Sequence, residues 1–105
     1  SGGQRQRISI ARALMKKPDI YIFDDSFSAL DFKTDAALRA ALKEEVSNSI
    51  VLIVAQRVST IMNADRIIVL DKGRIVGMGT HEELIQNCEV YREIVFSQLR
   101  EDEVA

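Results

Sequence analysis

Little in this chain of 105 residues can crosslink or chelate. Its single cysteine, Cys88, cannot close an internal disulfide, so a buried or idle thiol is expected. Its single histidine, His81, has no cysteine cluster beside it, which excludes a zinc ligand set and leaves a structural role as the better reading. One proline, Pro18, and five glycines form no flexible linker, and the sequence has no internal repeat or low-complexity stretch. No apolar run approaches the roughly 20 residues that cross a bilayer. A formal net charge of −2 supplies no basic field, so composition gives no support for binding nucleic acid or an anionic membrane. The glycines, Gly2, Gly3, Gly73, Gly77 and Gly79, begin no Gly-x-x-x-x-Gly-Lys-Ser/Thr loop, the cradle that holds nucleotide phosphates.

What is present is enough for one small globular unit: 47% hydrophobic and 29% charged residues, too apolar for a disordered tail. Ser1, with Gln4 three residues on, makes a capping box, and Ile8, Ala11 and Met15 recur near helical spacing; a helix is expected from about Gln4 to Met15. Pro18 stops it. Ile20 to Phe23, apolar without alternation, predicts a strand covered on both faces of a parallel sheet, with Asp24 and Asp25 at its C-terminal end. Leu38, Ala41, Leu42 and Glu45 stripe an amphipathic helix over Thr34–Val46. Ser49–Ala55 reads as a second buried strand, 59–63 as a short helix, and Arg66–Leu70 as a third strand. Asp71-Lys72-Gly73-Arg74 is turn chemistry, with Ile75-Val76 returning as a small hairpin arm. Thr80 with Glu83 makes a second capping box over Glu82–Gln86, and Tyr91, Ile94, Val95 and Leu99 stripe a final helix before a frayed acidic end at Glu101–Ala105. Strand, helix, strand, helix, strand predicts a right-handed parallel α/β layout.

Two motifs carry chemistry. A helix start exposes unpaired N–H groups and the positive end of a dipole, and glycines let the backbone approach an anion, so Ser1, Gly2 and Gly3 can contact a phosphate. An ordinary capped helix accounts for Ser-Gly-Gly-Gln alone about as well. A carboxylate ending a buried strand over phosphates can hold Mg²⁺, directly or through water, and Asp24 takes that role. For an isolated apolar run ending in aspartate, a plain turn is the better explanation.

Both readings sharpen in combination. Ser1-Gly2-Gly3-Gln4-Arg5-Gln6-Arg7, followed by Ile20-Tyr21-Ile22-Phe23-Asp24-Asp25, resembles the signature sequence and Walker B strand of an ATP-binding cassette (ABC) nucleotide-binding domain. Ser28-Ala29-Leu30-Asp31 is similar to the D-loop of that family, and the resemblance runs to about Leu99 through Asp71–Val76 and Gly79–Leu84. It implies an α/β fold that is part of a P-loop NTPase core, with parallel strands and flanking helices. The Walker A strand, which in the family lies between the counterparts of the Ser49 and Arg66 strands, is missing. On this resemblance the chain is the C-terminal part of one such domain: signature helix at 1–16, Walker B, D-loop and switch core at 17–79, and C-terminal helices at 80–105. Poor stability in isolation and no detectable ATP binding by these residues alone follow as expectations.

The resemblance further implies ATP and Mg²⁺ as cofactors, with Asp24 toward the metal and Ser1, Gly2, Gly3, Gln4, Ser28 and Asp31 toward nucleotide. The signature would close over the γ-phosphate of ATP held by a second ABC nucleotide-binding domain, in a head-to-tail dimer. It also implies a transmembrane domain as partner, at the cytoplasmic face of a bacterial cell membrane, and no nucleic acid.

Two positions depart from the family pattern. Asp25 stands where a glutamate ordinarily orients or deprotonates the attacking water. Aspartate is one methylene shorter, and a misplacement of about 1 Å can cost on the order of 10²-fold in rate. Gln56, in Val54-Ala55-Gln56-Arg57, stands where a histidine contacts the γ-phosphate; an amide can donate a hydrogen bond but cannot become a cation. Asp25 and Gln56 are therefore the candidate catalytic residues of a degenerate site, beside an intact signature. This asymmetry resembles the degenerate half of heterodimeric bacterial multidrug or lipid exporters. The alternatives are a soluble ABC ATPase, which would be expected to carry the glutamate and long insertions, and a catalytically inert fragment. Arg5, Arg7 and Arg12 read as a solvated face or as ion pairs to a neighbouring domain, and Tyr21 and Phe23 as core.

Overall fold

A computed structural model describes residues 2–25 and 30–104, the side chains of Phe32 and 101–104 excepted. The chain forms two compact units, Ser1–Gln56 and Arg57–Ala105. Composition predicts a single core; each unit has its own.

The first unit contains α1 (Gly2–Lys16), β1 (Ile20–Asp24), α2 (Phe32–Glu45) and β2 (Ile50–Val54). Helix α1 ends where Lys17 takes a left-handed backbone, φ 47, and its N–H returns to the Leu14 carbonyl at 3.1 Å, with Pro18 beyond it. The expected stripe is corrected. Ile8 and Met15 face solvent, and the buried face runs Gln6, Ile10, Ala13, Leu14, the i, i+4, i+7, i+8 pattern of one helix side. Strands β1 and β2 pair in parallel from Ile20↔Ile50 to Asp24↔Val54.

Neither strand is covered on both faces, contrary to the sequence expectation. Tyr21 and Phe23 are buried with rings stacked 5.9 Å apart, and they form a core with Ile10, Leu30 and Leu42. Ile20, Ile22, Ile50, Leu52 and Val54 are exposed on the opposite face. The period of two in a strand explains the split: α1 and α2 supply apolar partners to one side of the pleat, while the strands carry aliphatic residues on both.

Helix α2 begins two residues earlier than its hydrophobic stripe predicts, because Asp31 caps it: Thr34 N–H donates to the Asp31 carboxylate at 2.7 Å. One turn in, Asp35 is fully buried and accepts from Arg39 Nε at 2.7 Å.

The second unit contains α3 (Val58–Ile61), β3 (Ile67–Asp71), β4 (Arg74–Gly79), α4 (His81–Asn87) and α5 (Glu89–Val104). Strand β3 does not extend a parallel sheet. It pairs antiparallel with β4, and among the described residues no ladder joins β2 to β3. The hairpin follows from its turn, since Lys72 and Gly73 both have positive φ, 51 and 76, the type I′ geometry whose twist suits two adjacent strands.

Thr80 and Glu83 form the expected capping box at the start of α4. At its end, Arg92 Nη1 donates to the Ile85 and Gln86 carbonyls at 3.1 and 3.0 Å, a cation on groups a helix terminus leaves unpaired. Val58, Ile67, Val69, Leu84, Cys88, Tyr91 and Val95 make the core, while Leu99, assigned to the stripe by spacing, is exposed. His81 Nδ1 lies 2.7 Å from the Tyr91 hydroxyl, and Cys88 is buried and free, so both residues have structural roles. Burial and the Glu82 charge push the Tyr91 phenol above its usual range, which keeps it a neutral partner for the imidazole.

Candidate functional site

The candidate residues that the structure describes all belong to the first unit, and two of its geometric features gather them. The first is the parallel pairing. Because β1 and β2 run the same way and in register, both end on one edge, and Asp24 lies opposite Val54 there. Asp25 continues past the strand with its N–H donating to the Val54 carbonyl at 2.7 Å, and Gln56 follows two residues beyond Val54. Asp24, Asp25 and Gln56 are all exposed at this edge. Carboxyl ends of parallel strands are where open α/β sheets bind ligands.

The second feature is the reversal at Lys17–Pro18, which sends β1 back alongside α1. From Gln6 to Lys16 the helix rises about 15 Å, and from Ile20 to Asp25 the strand covers about 16 Å. The strand end therefore returns to the level of Gln6, whose Nε2 donates to the Asp25 carbonyl at 3.2 Å. Gly2 and Gln4, one turn further toward the helix start, are exposed, and Gly3 is half-buried. The first turn of α1 is open, as an anion-binding helix start must be.

Asp25 has φ 52. Left-handed backbone is uncommon outside glycine, and aspartate is one of the residues that tolerates it. Such strain is found where the surroundings hold it, often beside a functional group.

Asp31 is exposed and has a capping role at α2 that the sequence reading did not include. The Thr34 N–H and then the Thr34 side chain, with lesser help from the Lys33 N–H and the Arg7 charge, hold its carboxyl below the usual range against an opposing effect of desolvation. Ser1 and Ser28 lie outside the described residues.

Among the described residues no cluster of three or more His, Cys, Asp or Glu could hold a metal by itself. Mg²⁺ does not require one, because it binds through one or two carboxylates completed by phosphate oxygens and water. The exposed hard-oxygen donors of Asp24 and Asp25 fit that ion. No helix among the described residues is long and apolar enough to cross a membrane.

Sequence reasoning missed Gln6 and Asp35. For Asp35 the signal existed, since Asp35 and Arg39 stand four apart on one helix face. For Gln6 there was none, because its partner is a main-chain oxygen 19 residues away.

Comparison with known proteins bears on the family and the fold. Residues 1–28 match the ABC transporter family model. Over 93% of its length the chain is 51% identical to part of an uncharacterised ABC transporter ATP-binding protein of Mycobacterium bovis. It is 46% identical over 94% of its length to part of a putative export ATP-binding/permease protein of Rickettsia typhi. The chain spans 17% of the length of each of these relatives. The structure of a bacterial Atm1-family ABC exporter with ATP bound superimposes with a TM-score of 0.89 at 39% identity, over 93% of this chain and 17% of that one. Motif, sequence and fold thus agree that this chain belongs to the ABC transporter family and has the fold of an ABC exporter's nucleotide-binding domain.

Proposed function

We propose that this chain is the signature-to-C-terminus part of the nucleotide-binding domain of an ABC exporter, coupling ATP binding to transport through a partner domain. The observation that carries the proposal is the shared edge at which Asp24, Asp25 and Gln56 end two parallel strands, one helix turn from an open, glycine-rich helix start. Two kinds of phosphate contact follow. The N–H groups at Ser1 to Gly3, with Gln4, bind the γ-phosphate of ATP held by a second nucleotide-binding domain, with Ser28 and Asp31 at the seam between the two. Asp24 and Asp25 face nucleotide held by this chain's own domain.

At that own site Asp24 would hold Mg²⁺, which would supply positive charge to offset that of the phosphates. The Gln56 amide donates a hydrogen bond toward the terminal phosphate but brings no positive charge. Asp25 orients the water, and its carboxylate falls one methylene short of the reach proton transfer needs. The site therefore retains nucleotide and turns it over slowly, while the signature serves a sound site on the partner. A heterodimer, a transmembrane domain and a place at the cytoplasmic membrane face complete the assembly. The export and permease names of the relatives support this setting.

The test is site-resolved ATP hydrolysis in the complete transporter with the partner's own hydrolytic carboxylate disabled. Asp25→Glu with Gln56→His raises turnover at this chain's site, by up to about 10²-fold if reach is what limits it. An unchanged rate would show that these two residues are not the limit. Asp24→Asn in the same assay abolishes Mg²⁺-dependent retention of nucleotide.

A further inference from the structure

Asp25 is held from two sides. Its N–H donates to the Val54 carbonyl of β2 at 2.7 Å, and its own carbonyl accepts from Gln6 Nε2 of α1 at 3.2 Å. Between these two bonds lies the left-handed backbone of φ 52, at the point where the chain leaves β1. A residue in that region stays there only when its surroundings over-determine it. The Val54 bond acts on the peptide before Asp25 and the Gln6 bond on the Asp25 carbonyl, so the two together bear on the direction of the Asp25 side chain.

We propose that Gln6 is a positioning residue that sets the Asp25 carboxylate by holding the Asp25 carbonyl, so that one hydrogen bond joins the helix whose first turn meets the partner's nucleotide to the carboxylate that serves this chain's own. The role rests on the proposed function in taking Asp25 as the group that orients water. Gln6 suits it by place and length. It is half-buried, on the same α1 face as Ile10, so its stem is steadied by the core while its amide reaches the strand end. A shift of the helix start on phosphate docking would act on Asp25 through this bond.

Two measurements test the role. Asp25-Ser26 is the only Asp-Ser pair in the sequence. A chain labelled with ¹³C-carbonyl aspartate and ¹⁵N serine therefore gives a single carbonyl signal, that of Asp25. The signal moves upfield, as a carbonyl losing a hydrogen bond does, in Gln6→Leu and also in Gln6→Glu, which keeps the side-chain length and at neutral pH lacks the donor. In the complete transporter, with the partner's carboxylate disabled, the same two variants lower kcat at this site by about tenfold or more. KM for ATP stays within about twofold, because a positioning role acts on Asp25 and removes no contact to the nucleotide. Gln6→Lys, which restores an N–H donor, recovers part of the loss.

An Asp25 carbonyl signal that stays in place in Gln6→Leu overturns the positioning role, whatever the nucleotide does. A moved signal with unchanged kcat overturns it as well, since the bond then steers nothing that matters to turnover. A wild-type site that neither binds nor hydrolyses ATP instead overturns the reading of Asp25 on which the role rests.

Discussion

The two units of this chain differ in how their elements end. In residues 57–105 local devices close the elements: a type I′ turn closes the hairpin, a capping box opens α4 and Arg92 closes it. In residues 1–56 β1 and β2 end together at an exposed edge, and Asp25 sits there in a left-handed conformation. Both units carry an exposed aliphatic sheet face, Ile20, Ile22, Ile50, Leu52 and Val54 in the first and Ile68, Leu70, Ile75, Val76 and Met78 in the second. Every described residue proposed to meet nucleotide or metal lies in the first unit. The comparison teaches that the candidate residues gather where two strand ends and a helix start are exposed, since a ligand can reach only groups that the fold leaves accessible.

The largest expected effect tests that contrast directly. Tyr91→Ala removes a 2%-exposed ring from the core of the second unit and should cost about 3–5 kcal/mol. Phe23→Ala should cost nearer the lower end of that range, since its strand already has one open face on which the unit can relax. Amide exchange in α4 and α5, compared with β1 and β2, reads each loss, and equal losses would break the comparison.

Next comes Arg39→Ala, which leaves the fully buried Asp35 carboxylate without its guanidinium and should cost about 2–3 kcal/mol. Asp35→Ala should cost less, because Arg39 is partly exposed and can turn to water. Urea midpoints of the two variants sharpen the comparison by showing whether the first unit depends on one buried charge; the reverse order would mean that it does not.

Gly77→Ala probes the second unit by overfilling it. A Cβ there would stand 2.8 Å from Cys88 Sγ and 3.1 Å from Leu84 Cδ2, and the strain should cost about 1–3 kcal/mol. Cys88→Ala in the same chain should recover part of this, and the double-mutant cycle measures how much.

The smallest effect is the pH dependence of the α2 cap. Asp31 has a lowered folded-state carboxyl pKa, so its contribution is present above the usual carboxylate range and is lost as pH falls through the lowered folded value. Asp31→Asn, which still accepts from Thr34 N–H, should flatten the stability of the first unit across that acidic window. Acid unfolding that is the same in this variant as in the wild type would assign the cap no electrostatic part.

Element existence was legible in the residues. Pro18 after a helical stretch, Asp71-Lys72-Gly73-Arg74 between two apolar runs, and Thr80 with Glu83 each name a local conformation that neighbours a few positions away can enforce. Which side of an element is buried was less so. In α1 both the Ile8–Ala11–Met15 row and the Ile10–Ala13–Leu14 row have helical spacing, and only the packing of Tyr21, Phe23 and Leu42 selects the second. The apolar runs of β1 and β2 fit a strand covered on either or both faces, so their composition could not tell one from the other. The third strand and its hairpin return were legible in the turn residues, but the return strand is longer than Ile75-Val76 and runs from Arg74 to Gly79.

By itself the sequence determined the chemistry available to this chain: oxygen donors at Asp24 and Asp25, an amide at Gln56, a glycine-rich helix start at Gly2 and Gly3, and the family those residues belong to. These are local properties, carried by residue type and short spacing. Only the tertiary structure decided that β1 and β2 end together, that Asp25 takes a left-handed backbone and that Gln6 holds its carbonyl. Each of those joins residues far apart in the chain, and a contact between a side chain and a distant main-chain oxygen leaves no mark on residue type.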